Sequence, residues 1–123
     1  MENKGNKVFV IPDMCTPAAS TGEVPSHECI SVLNLNDVDC ELTLKLYYTD
    51  KDPVVCKPYI CPAQRSTHIP LFFFKTQDGE DANVTVPYSG IIECSVPVYA
   101  QYSRVVTAQP EYSITSMMCH PIG

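Results

Sequence analysis

Residues 40–49, CELTLKLYYT, constrain the fold more than any other stretch of this chain. Leu42, Leu44, Leu46 and Tyr48 alternate with Glu41, Thr43, Lys45 and Tyr47. A period of two puts successive side chains on opposite faces of an extended backbone, so the segment is a strand with one buried face. A helix would scatter the same leucines around its circumference. Turn formers close both ends, Asn36-Asp37-Val38-Asp39 before and Asp50-Lys51-Asp52-Pro53 after. Before the first turn, CISVLNL at 29–35 reads as a second strand, and the two together predict an antiparallel hairpin.

The rest of the chain follows the same grammar. KVFVI at 7–11 is a first strand ended by Pro12, and 13–25 is a loop rich in Pro, Ser, Thr and Gly. VVCKPYI at 54–60 is a strand whose Pro58 demands an edge or a bulge, and 65–73 is one or two strands broken at Pro70. Residues 76–81, TQDGED, form an exposed acidic turn. Strands are expected at 82–86, 90–95, 96–106 and 111–118. Short strands with frequent turns, 11 Pro and no helical period indicate an all-β fold, an antiparallel β-sandwich or barrel. No repeat or boundary divides the chain, so 1–123 is one domain, with 1–6 and 119–123 as flexible ends. At 123 residues it can bury a core without disulfide or metal.

Charge narrows the partners. The net charge is −6, and the 8 Lys and Arg are dispersed, so no stripe tracks a phosphate backbone and nucleic acid is disfavoured. An anionic membrane surface is disfavoured for the same reason. No apolar run matches a signal peptide or a membrane span, which places the chain in the cytoplasm. There, an odd count of 7 scattered Cys reads as free, packed thiols.

Motifs for chemistry are weak. His27, Glu28 and Cys29 are adjacent, but a strand sends neighbours to opposite faces, so Glu28 does not join the other two. Cys56-x4-Cys61 and Cys119-His120 lack the close ligand pairs of a structural zinc site, and no metal site is assigned. There is no G-x-S-x-G elbow and no Gly-rich phosphate loop. Most acids lie in turns; Glu28 and Glu93 are among those inside strands. No catalytic residue and no cofactor is assigned. The remaining signal is polar groups within strands, namely His27, Tyr47, Arg65, His68, Gln101, Tyr102, Ser103 and Arg104. They make an exposed face, a subunit contact, or a binding surface of the Arg, Gln and Tyr kind. The absence of Trp disfavours a sugar-stacking platform.

PSHECISVLN, an acidic turn, LTLKLYYTDKDPV, PAQRSTHI and SVPVYAQYSRVVTAQ, in that order, resemble the sensory rhodopsin transducer family over about residues 8 to 118. The chain departs from the family pattern at Tyr102 and at Val105-Val106-Thr107. The resemblance implies a jelly-roll-like sandwich, a homotetramer, no enzymatic activity and a ligand pocket like that of carbohydrate-binding modules. By motif it points to Ser26, His27 and Glu28, to Tyr47, Tyr48 and Asp50, to Arg65 and His68, and to Gln101 and Arg104. The expected function is a non-enzymatic cytoplasmic binding or transducer-like protein that recognises a small polar or sugar-like ligand. The alternatives are a soluble transducer docking a membrane photoreceptor or other receptor and, third, a metal-dependent jelly-roll enzyme.

Overall fold

The computed structural model describes residues 2–16, 25–107 and 112–123. In chain order the strands are β1 (Asn6–Met14), β2 (His27–Asn34), β3 (Cys40–Tyr47), β4 (Val54–Val55), β5 (Tyr59–Cys61), β6 (Arg65–Pro70), β7 (Tyr88–Val106), β8 (Ser113–Met118) and β9 (His120–Pro121). A short 3-10 turn, Leu71–Phe73, follows β6, where Pro70 ends the ladder. All strand pairings are antiparallel, and they build the β-sandwich that the alternation in 40–49 calls for.

One sheet holds β3, β7, β1 and β9 in that order, with β4 and β5 on the outer edge of β3. The other holds β6, β2, β7 and β8. β7 belongs to both. Residues from Ser89 to Cys94 pair with β3, and residues from Tyr99 to Val105 pair with β2. The expected strands at 90–95 and 96–106 are therefore one strand of 19 residues. Its register on β1 jumps from Glu93 opposite Val8 to Val98 opposite Asn6. The extra residues around Pro97 form a bulge, which bends β7 out of one sheet and into the other.

The hairpin expected between 29–35 and 40–49 does not form, because β2 and β3 lie in different sheets. Each buries an apolar stripe, Ile30 and Val32 on β2 and Leu42, Leu44 and Leu46 on β3, and facing across the core satisfies both. The chain between them is an arch pinned by Asn34. The buried Asn34 amide donates to the carbonyls of Val38, Cys61 and Pro62, and its oxygen accepts the Asn36 amide N–H at 2.9 Å. Residues 54–60 also depart from expectation: they split into β4 and β5, since Cys56 N–H reaches Leu44 O and Lys57 N–H turns away to Lys75 O. Residues 82–86 form no strand. Their carbonyls are used in isolated contacts instead, Ala82 O by the Tyr48 hydroxyl and Val84 O by Thr16 N–H.

The acidic turn forms as expected, closed by Thr76 N–H to Glu80 O and by a Lys75–Asp81 ion pair. Residues 17–24 of the expected loop and 108–111 lie outside the described residues. At the ends of the chain, Asn6 lies opposite Val98, Cys119 is buried, and β9 pairs with β1.

The core lies between the sheets, with Phe9, Ile11, Leu44 and Ile92 from one side and Ile30, Val32, Ile69 and Ala100 from the other. Gly90 is where the packing leaves no room. A Cβ there would meet Met14 Sδ at 3.0 Å, Leu44 Cδ1 at 3.2 Å and Leu46 Cδ2 at 3.3 Å. Gly90→Val is expected to cost about 1–3 kcal/mol by overpacking. A urea titration reads this as a lower midpoint with an unchanged slope.

Candidate functional site

β2 starts with His27 and Glu28, and its alternation turns Glu28, Ile30, Val32 and Asn34 inward. That register puts a carboxylate into the end of the sandwich, where Glu28 is 1% exposed. Burying such a group without partners is costly, so its surroundings matter. Oε1 accepts Cys15 N–H at 3.0 Å and the Tyr102 hydroxyl at 2.5 Å, and Oε2 accepts the Tyr88 hydroxyl at 2.6 Å and the Thr16 hydroxyl. Every group facing the two oxygens donates, so the site suits a carboxylate.

The donors come from far apart in sequence. Cys15 and Thr16 follow β1, Tyr88 opens β7 in one sheet, and Tyr102 lies on the part of β7 that belongs to the other. Glu28 is thus a polar rivet through both sheets. Burial, followed by the charge and hydrogen bonds of Glu28, pushes both Tyr88 and Tyr102 phenols well above their ordinary range. Both therefore remain donors.

Arg104 continues the network outward. It sits opposite Glu28 on the paired strand, and its Nε donates to the Tyr102 hydroxyl at 3.3 Å. A terminal nitrogen donates to Asp13 O at 2.7 Å. Asp13 has a left-handed backbone, φ 59°, at a one-residue bulge between Ile11 and Met14, and this strain aims its carbonyl at the guanidinium. Two cavities flank the rivet. One, of about 350 Å³, is lined by Pro12, Asp13, Tyr102, Arg104, Thr115 and Met117. The other, of about 290 Å³, is walled by Thr16, Ser26, His27, Phe72, Asp81 and Asn83, among others.

The structure brings Ser26, His27, Glu28 and Arg104 to one end of the sandwich. Ser26 is buried, and its Oγ accepts Thr107 N–H at 2.9 Å. His27 Nδ1 lies 3.0 Å from Pro25 O. His68 and Gln101 lie elsewhere, in register with Ser31 on the outer face of the β6–β2–β7–β8 sheet, with His68 Nδ1 3.0 Å from Ser31 Oγ. Arg65 is at the far end of β6, opposite Asn34, and donates to Gln64 O. Tyr47 is on the outer face of the other sheet, under Lys45, and Asp50 is exposed in the loop beyond it. The nine residues thus divide among several places rather than lining one pocket. Sequence reasoning missed Tyr88 and Thr16 as partners of Glu28. The available signal was the acid itself, a Glu inside an apolar strand that needs donors from somewhere.

The family model described as Anabaena sensory rhodopsin transducer matches residues 4–121. The chain belongs to the Anabaena sensory rhodopsin transducer family. A solved structure titled Anabaena sensory rhodopsin transducer is 27% identical, with 80% of this chain and 86% of that one covered and a TM-score of 0.68. The crystal structure of Thermotoga maritima 1070 shares the fold, with a TM-score of 0.82 at 24% identity over 99% of this chain and 97% of that one. No curated protein sequence matches significantly. In this transducer-family chain, no helix among the described residues is long and apolar enough to cross a membrane. Among those residues, no group of three or more His, Cys, Asp and Glu is gathered to hold a metal ion.

Proposed function

We propose that this transducer-family chain is a non-enzymatic cytoplasmic signalling protein, assembled as a homotetramer, that docks a membrane receptor through the outer face of its β6–β2–β7–β8 sheet. The observation that carries this reading is the character of that face. Leu33 and Tyr99, directly opposite each other on β2 and β7, are 42% and 36% exposed, and Met118 on β8 is 61% exposed. Ser31, His68 and Gln101 sit among them. A shallow groove of about 220 Å³ runs between Ser31, Leu33, Ser66, Tyr99, Gln101 and Met118. An apolar centre with hydrogen-bonding groups around it is the anatomy of a protein contact.

The reactive groups favour contact over catalysis. Both Glu28 oxygens already accept internal donors. Burial lifts the Cys56 thiol to about 11 and, with Cys40 nearby, Cys61 to about 12, leaving neither as a nucleophile at neutral pH. All 7 cysteines are free, which suits the cytoplasm.

The test is co-sedimentation with membrane vesicles from the native cells. Leu33→Asp is expected to reduce recovery in the vesicle pellet at least tenfold, an effect of about 1.4 kcal/mol or more, while the melting curve stays in place. Undiminished recovery would count against this face.

A second reading, binding of a small polar or sugar-like ligand, is favoured by one specific atom. Asn83 Oδ1, on the wall of the His27 cavity, is buried with no hydrogen-bond partner. Asn83→Ala would abolish any mass adduct that native mass spectrometry finds on the purified protein. An adduct kept by that variant would move the site elsewhere.

A further inference from the structure

Asn83 holds one buried oxygen whose role the neighbouring hydrogen bonds decide. The Thr16 hydroxyl donates to Glu28 Oε2, a carboxylate oxygen with no proton to return. In its second bond the Thr16 oxygen is therefore the acceptor, and Asn83 Nδ2 donates to it at 2.9 Å. That fixes which end of the Asn83 amide is which. Oδ1 is turned the other way, a buried acceptor without a hydrogen-bond partner among the described residues. Buried polar atoms are normally paired, so the group that belongs opposite Oδ1 is a donor.

The cavity of about 290 Å³ that Asn83 helps to wall offers further acceptors. Asp81 gives one carboxylate oxygen to Lys75 and keeps the other. His27 Nδ1 donates to Pro25 O, which leaves Nε2 of the neutral ring an acceptor. Ser26 Oγ is already engaged with Thr107. Among the described residues, no Lys or Arg stands in the lining. Beside these groups Phe72 is 47% exposed, and the face of an aromatic ring attracts a cation.

We propose that this cavity binds a small organic ammonium ion, with its N–H groups on Asn83 Oδ1 and the Asp81 carboxylate and its carbon body against Phe72. The proposal rests on the second reading above, that the His27 cavity holds a small ligand, and gives that ligand a chemical class. An anion would meet Asp81 with no cation in the lining to offset it. Sugar hydroxyls accept as well as donate, and the lining is poor in free donors for them. An ammonium group only donates, which matches what the wall asks for. The net charge of −6 favours a cation in the same sense. The volume is at the small end for ligand pockets and suits one ring or a short chain.

Isothermal titration calorimetry of the full chain with benzylammonium tests the class, with benzyl alcohol as a neutral probe of the same shape and glucose as a sugar. Benzylammonium is expected to bind saturably, and benzyl alcohol at least about tenfold more weakly. Asn83→Ala is expected to weaken benzylammonium at least about tenfold. Asp81→Asn, at an exposed residue, spares the fold and is expected to weaken it about threefold to fivefold. Melting curves of both variants confirm that the fold is kept. Equal affinity for benzyl alcohol, or benzylammonium binding untouched by either variant, would overturn the proposal. Glucose bound in its place, and lost in Asn83→Ala, would overturn the ammonium and leave the small-ligand reading standing. No binding by any of the probes would also overturn the ammonium, and the native mass spectrum would then decide the small-ligand reading separately.

Discussion

Glu28→Ala is expected to lower the unfolding free energy by about 3–5 kcal/mol, a large part of what holds a domain of this size together. The reason is what the substitution leaves behind. The Tyr88 and Tyr102 hydroxyls and the Cys15 N–H lose an acceptor in a place where water does not replace it. Each stranded buried group costs about 1–3 kcal/mol. Gln at this position fares little better, since its NH2 would face groups that all donate. Tyr102→Phe removes one donor and keeps the ring, and is expected to cost about 1–2 kcal/mol. Urea titrations of the three variants measure this order directly. A Glu28→Ala protein within about 1 kcal/mol of wild type would show that the rivet does not hold the sheets.

Raising the pH from 9 to 11 is expected to unfold the protein progressively, because its buried thiols resist ionisation. Burial lifts Cys56 to about 11 and Cys119 to about 12; burial and nearby Cys40 lift Cys61 to about 12. All three side chains are among the buried core residues. An unfolded thiol loses its proton near 8.5 to 9. Between that value and the folded one, the native state holds protons that the unfolded chain has released. Stability is therefore intact below about pH 8.5 and falls as pH rises, by up to about 1.4 kcal/mol per pH unit for each thiol. The Tyr48 phenol, lifted to about 12 by burial and by Cys56, adds to the loss above pH 10. Urea midpoints at pH 8, 9.5 and 10.5 should fall with increasing steepness, and Cys61→Ala should soften the slope. A flat profile would contradict this picture of the core.

What the sequence disclosed follows from what local patterns encode. The stripe Leu42, Leu44, Leu46 needs only a period of two, and it marks β3 and its buried face correctly. The same holds for Val98, Ala100 and Tyr102, which turn inward as their alternation requires. Pairing partners are a different matter. β2 and β3 carry turn residues between them, yet an arch and a hairpin use similar composition, and the Asn34 contacts to Cys61 and Pro62 that decide between them are long-range. The continuity of β7 through Pro97 was also hidden, because a bulge and a break look alike in one dimension. For the site, the strand acid Glu28 was visible, whereas its donors arrive from residues 15, 16, 88 and 102. His68 and Gln101 meet through Ser31 only because β2 lies between β6 and β7.

In the proposed function, the polar cluster around Glu28 holds the sandwich together while the outer face of the β6–β2–β7–β8 sheet does the recognising. The most direct measurement compares Tyr99→Asp and His27→Ala in one vesicle co-sedimentation experiment, with melting curves recorded beside it. Tyr99→Asp is expected to lose the vesicles at unchanged stability, and His27→Ala to keep them. Retention by Tyr99→Asp together with loss by His27→Ala would place recognition at the end of the sandwich and contradict it.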